Sequence, residues 1–153
     1  MSAKVQDPIL VDGLFQLSFH LQATLARIAA EHDLSIVQVR LLGILRDREP
    51  AMLRLARHLG LEKSSLSGLV DRAERRGLVQ RVPSPEDGRG SNIRVTARGR
   101  KLSGAIEGEV TAEVAKLVGV LSISERQRLA ALLGQIVSGI AGAPDSRAGT
   151  RPR

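Results

Sequence analysis

The stretch from Leu53 to Thr96 limits the fold of this chain more than any other. Leu53 to Leu59 sets Leu55, Ala56 and Leu59 at helical spacing and runs into Gly60, the usual residue for a helix stop. After a short turn a further helix is expected over about 63–76, ended by Gly77. Two short helices joined this tightly form a helix-turn-helix. Two alternating, β-branched segments follow, 78–82 (LVQRV) and 92–96 (NIRVT). Between them lies PSPEDGRGS, rich in Pro, Gly and acidic turn formers, so the pair reads as a hairpin with a long tip.

Longer helices flank this block. Over 8–31, Leu10, Leu14, Leu17, Leu21 and Ile28 recur at three- and four-residue spacing behind Pro8, which suits a first turn. Phe15 and Phe19 widen that stripe. Ser35 and Gln38 form a capping box, with Leu34 and Val39 as hydrophobic staple, for a helix running to about Arg46 that turns Val39, Leu42 and Leu45 inward. Pro50 marks its break. Beyond the hairpin, 97–120 carries Leu102, Ile106, Val110, Val114, Leu117 and Val118. A second capping box, Ser122 and Glu125, opens a last helix striped by Leu129, Leu132, Leu133, Ile136, Val137 and Ile140. The expected fold is mainly α, α+β only through the small wing, with no internal repeat. A winged helix-turn-helix (35–96) sits within one domain spanning 1–153, between helical stretches at 8–33 and 97–141, and 142–153 is expected to be disordered.

Composition narrows the function. A chain of 153 residues, 42% hydrophobic and 25% charged, suits one globular domain with its own core. With no cysteine, disulfides, thiolate metal sites, cysteine nucleophiles and thiol redox sensing are excluded. No run of 18 apolar residues exists, and MSAKVQDPIL lacks the basic-then-apolar order of a signal peptide, so no membrane partner and a cytoplasmic, nucleoid-associated location are expected. The net charge of +7 favours a polyanionic partner. Its distribution is more telling: residues 1–34 are net −2, whereas 35–96 hold twelve basic and seven acidic groups. The positive charge is concentrated on the winged block.

On a helical wheel, Leu66, Leu69, Val70 and Ala73 share one face of the 63–76 helix. The opposite face is Ser64, Gly68, Asp71 and Arg75, flanked by Ser65, Ser67 and Arg72, with Lys63 just before. A merely solvated helix favours Glu, Lys and Gln there. Short hydroxyls and a glycine at a positive helix end suit close approach to phosphates and base edges. A Ser-rich helix start would look similar in isolation, but the hairpin downstream favours the DNA reading. At the hairpin tip Arg89 is placed to reach a minor groove, with Asp87 able to fold back and fix its aim. Arg81 and Arg94 flank the strands and would reach phosphates, though solvated strand arginines would look the same. The chain has no enzyme signature: His20, His32 and His58 fall on three helices, and no metal-ligand pair, P-loop, Gly-x-Ser-x-Gly or dinucleotide fingerprint occurs. Neither a metal nor a cofactor is expected.

From about Leu10 to Ile140 the sequence resembles the multiple-antibiotic-resistance regulator (MarR) family of winged-helix transcription factors. The resemblance is carried by LARHLGLEKSSLSGLVDR (55–72), RGLVQR (76–81), Asp87-Gly88-Arg89, IRVTARG (93–99) and the Ser122–Glu125 start of the last helix. It implies a homodimer in which the terminal helices interlock, binding double-stranded DNA at a pseudo-palindromic operator, usually as a repressor. It also implies release by a small aromatic or anionic effector bound between the helical region and the winged lobe. Phe15, Phe19, His20 and Arg40 are the candidate effector contacts. Peroxide sensing through cysteine is closed to this chain. The alternative is a winged-helix DNA-binding protein without ligand sensing, architectural or competing with another binder.

Overall fold

A computed structural model describes residues 7–85 and 90–142, which divide into one compact unit ending at Glu113 and a second beginning at Val114. In the first unit, α1 (Pro8–Glu31) starts at Asp7, whose carboxylate accepts from the N–H groups of Ile9 and Leu10 at 3.1 Å each. It ends as Asp33 enters the left-handed region (φ 55°) and the Leu34 N–H reaches the Ala29 carbonyl at 2.8 Å. The capping box forms at α2 (Ile36–Leu45): Gln38 N–H donates to Ser35 Oγ, and Ser35 N–H donates to Gln38 Oε1 at 2.9 Å. Leu41, Leu42 and Leu45 of α2 are buried, and Val39 packs partly buried at the core's edge.

Helices α3 (Met52–Leu59) and α4 (Lys63–Arg75) form the helix-turn-helix, closed by Gly60 and Gly77 at φ near +65°. Each glycine occupies a conformation that a Cβ makes costly. The wing is an antiparallel pair, β1 (Val79–Pro83) and β2 (Ser91–Val95), in register from Val79 opposite Val95 to Pro83 opposite Ser91. A feature without local sequence signal joins it: Ala51 bridges Asn92, and the Ile93 N–H donates to the Pro50 carbonyl at 3.0 Å. The chain between α2 and α3 thus lies along the wing's free edge and covers it. The core beneath is built from Ile28, Leu41, Leu42, Leu45, Leu55, Leu66, Val70, Leu78 and Ile93, all almost wholly buried.

Helix α5 (Ala97–Leu117) ends earlier than its apolar period suggests, because Val118-Gly119-Val120 tightens into a 3₁₀ turn. Two β-branched residues and a glycine are poor helix formers, and that local preference wins. In the second unit, Ser122 and Glu125 cap α6 (Ile123–Gly142), with Ser122 N–H donating to Glu125 Oε2 at 2.8 Å. The Ser122 hydroxyl, which donates to Glu125 Oε2 at 2.7 Å, and then the Ser122 N–H hold the Glu125 carboxyl below its ordinary value. The wing tip at 86–89 and the tail from 143 lie outside the described residues, so only Gly142 of the tail expected to be disordered is described, and it closes α6. No described helix is long and apolar enough to cross a membrane, and no described group of residues gathers as a metal site.

Candidate nucleic-acid interface

Helix α4 buries the face expected of it: Leu66, Leu69, Val70 and Ala73 are core, while Lys63, Ser64, Ser65, Asp71, Arg72 and Arg75 are exposed. Ser67 and Gly68 are half-buried at the edge. The apolar stripe fixes the rotation of the helix, and the short side chains leave its outer backbone approachable. The two helices of this motif also begin differently from α1, α2 and α6. Neither Ala51 before α3 nor Glu62 before α4 donates a side-chain cap. Their first-turn N–H groups are therefore left without a side-chain acceptor from the capping residue, which favours an anion. Among the described residues, Arg72 and Arg75 carry no ion pair.

The two strand arginines are placed otherwise. Arg81 of β1 forks onto α4: its Nη2 donates to Asp71 Oδ1 at 2.6 Å, and its Nη1 and backbone N–H both go to the Glu74 carboxylate. These contacts, the Asp71 hydrogen bond foremost, raise the Arg81 pKa further above its ordinary range. Arg94 of β2 pairs with Glu49 at 2.6 Å and 3.0 Å, which lowers the Glu49 carboxyl below its ordinary value. Both guanidiniums are thus engaged with carboxylates. They tie the wing to α4 and to the loop after α2, and they neutralise acids that would repel a phosphate backbone. Asp71 and Glu74, ten and seven residues from Arg81, and Glu49, forty-five from Arg94, have no local signal marking them as partners. Asp87 and Arg89 lie outside the described residues.

The candidate effector contacts are dispersed. Phe15 and Phe19 stand on α1 with ring centroids 6.3 Å apart, 59% and 63% exposed, and His20 beside them is exposed too. Arg40 lines an open hollow with Arg48 and His58. A different cavity, of about 250 Å³, lies between α1, α2 and α5, walled by Leu25, Val39, Leu42, Ile106 and Val110. Ser103 and the Arg46–Glu107 pair add its polar groups, and Arg46 Nη1 donates to both Glu107 oxygens at 2.8 Å. None of Phe15, Phe19, His20 and Arg40 lines this cavity.

Comparison with known proteins agrees with this geometry. The MarR family model matches residues 32–90, which hold α2, the helix-turn-helix and the first strand. The HTH-type transcriptional regulator PecS of Dickeya dadantii is 28% identical over 137 residues, 85% of this chain and 81% of PecS. The Staphylococcus aureus MepR–DNA complex superposes with a TM-score of 0.66 at 25% identity, covering 84% of this chain and 96% of MepR. NadR in complex with 4-hydroxyphenylacetate superposes with a TM-score of 0.68 at 26% identity, covering 89% and 97%. With a helix-turn-helix, a two-stranded wing and flanking helices in the order those relatives share, this chain is similar in fold to the MarR-family transcriptional regulators, whose family model its 32–90 block matches.

Proposed function

We propose that the protein is a homodimeric repressor that places one α4 in each half of a pseudo-palindromic operator and is released by a small molecule. The observation that carries the DNA contact is the outer face of α4: small polar side chains, Arg72 and Arg75 without an ion pair among the described residues, and acids already covered by Arg81. Lys63, Ser64, Ser65, Ser67, Gly68, Arg72 and Arg75 make the major-groove contact in this reading. Asp87 and Arg89 form the minor-groove tip, and Arg81 and Arg94 act from behind as the wing's ties. Acting on DNA, it works in the cytoplasm. MepR, which is similar in fold, is seen with DNA, and that supports the partner.

The dimer rests on uncovered apolar surface. On α1, Leu10, Leu14, Phe15, Leu17, Phe19 and Leu21 are exposed; on α6, so are Leu132, Leu133, Ile136, Val137 and Ile140. Side chains of this kind on two helices are far more than a monomer ordinarily leaves in water. A second copy covers them, burying roughly 2,000 Å² or more. For release, the cavity between α1, α2 and α5 suits a compact, largely apolar molecule, and NadR, similar in fold, is seen with 4-hydroxyphenylacetate. Phe15, Phe19, His20 and Arg40 then serve the dimer and the surface rather than this cavity.

Titration of the full chain against a duplex selected from random sequences tests the reading. If the dimer neutralises about eight phosphates, log K falls against log salt with a slope near −7, about four decades between 50 and 200 mM. Equal binding to a scrambled duplex, or affinity indifferent to salt, contradicts it. An effector that binds only the folded state raises the melting temperature in proportion to its occupancy. If no small aromatic or anionic compound does so, the reading without ligand sensing stands.

A further inference from the structure

Gly68 sits in the middle of α4, where a helix disfavours glycine, and its φ is ordinary. No turn requires it. A Cβ built there would lie 3.4 Å from Nη1 of Arg72, at van der Waals contact with the end of that side chain. The Arg72 side chain therefore runs back one turn towards the helix N-terminus, as long helical side chains do, and its guanidinium rests over the bare backbone at Gly68. Among the described residues it has no ion-pair partner although Asp71 is its neighbour in sequence, because Asp71 and Glu74 are taken by Arg81. Ser64, Gly68 and Arg72, at four-residue spacing, share one row of α4, with Ser64 and Arg72 exposed and Gly68 half-buried between them. A planar, fully charged fork is thus held against the outer surface of the helix, level with its small residues.

We propose that Arg72 is the guanine reader of each half-site, its fork taking O6 and N7 of one guanine, with Gly68 as the slot that lets it lie between helix and base edge. This rests on the reading above that α4 enters the major groove. Arg and guanine match as two donors to two acceptors, whereas a lysine offers charge without the fork. Arg75, about two turns beyond Gly68, takes a phosphate instead and carries no sequence information.

The test uses the full chain and its preferred duplex selected from random sequences, with each guanine replaced in turn by 7-deazaguanine, which lacks the N7 acceptor. Wild type is expected to lose on the order of tenfold in affinity at one guanine per half-site. Arg72→Ala should become indifferent to that replacement, while Arg72→Lys, which keeps the charge and can still donate to one acceptor but has no planar fork, should bind the preferred duplex more weakly than wild type. Arg75→Ala should weaken every duplex alike and still discriminate at that guanine. If Arg72→Lys binds with wild-type affinity and still discriminates there, Arg72 is a phosphate contact and the inference fails while the DNA reading survives. If wild type prefers no duplex over its scrambled form, both fall.

Discussion

Gly99 lets α5 start close against the backbone that leads into the wing. A Cβ there would stand 2.0 Å from the Leu78 carbonyl oxygen and 2.9 Å from its carbon, backbone atoms that cannot swing aside. Thr96 holds the same junction, donating from Oγ1 to the Gly77 carbonyl at 2.6 Å and accepting from the Gly99 N–H at 3.0 Å. Gly99→Ala is therefore expected to cost about 1–3 kcal/mol by overpacking, seen as a lower melting temperature in thermal denaturation. Unchanged melting would contradict the contact. Arg81 makes a second residue-scale case. Arg81→Ala leaves Asp71 and Glu74 uncovered beside the DNA-facing surface, so affinity should fall although Arg81 itself stays behind that surface. Restoring affinity by adding Asp71→Asn and Glu74→Gln in the same chain would show that the loss came from repulsion. If affinity stays low in that triple variant while the chain is folded, Arg81 touches DNA directly.

At the scale of elements, helices are legible in the sequence where the signal is local. Both capping boxes, Pro8 in the first turn and the two glycine stops depend on residues within a turn of one another, and each formed in its expected place. The strands sit one residue from their expected bounds, because alternation marks a strand without fixing its register. The edge contact of Pro50 and Ala51 and the Arg81 and Arg94 ties were not legible, since their partners meet only after the chain folds. The ion pair of Glu49 with Arg94 has a pH signature. Its carboxyl is lowered from 4.5 by the Arg94 hydrogen bond, so the stability it adds is present above that value and is lost as pH falls through the lowered one. The melting difference between wild type and Glu49→Gln should accordingly be constant near neutrality and shrink under acid. A difference that grows under acid contradicts the pairing. For the wing itself, Arg89→Ala is expected to weaken DNA binding by about 1–3 kcal/mol and to relax preference only at the outer positions of the operator. Wild-type affinity in a folded, dimeric variant would leave recognition to α4 alone.

For the whole molecule, the sequence pattern gave the amphipathic stripes of α1 and α6, and the described chain leaves most of them in water. The physical reason is that a helix stripe reports only that something covers it, not whether the cover belongs to the same chain. On the dimer reading, sedimentation at micromolar concentration gives about twice the chain mass of 16.4 kDa. Two copies then hold two α4 helices in fixed relation, and successive major grooves on one face of a duplex lie roughly 34 Å apart, so the half-sites are about ten base pairs centre to centre. The most direct measurement is affinity for duplexes in which the two half-sites are moved apart base pair by base pair. The account predicts a sharp maximum at one spacing and a loss of most specific affinity when about five base pairs are inserted, because half a turn carries the second site to the opposite face. Affinity that stays level across the spacings would contradict it.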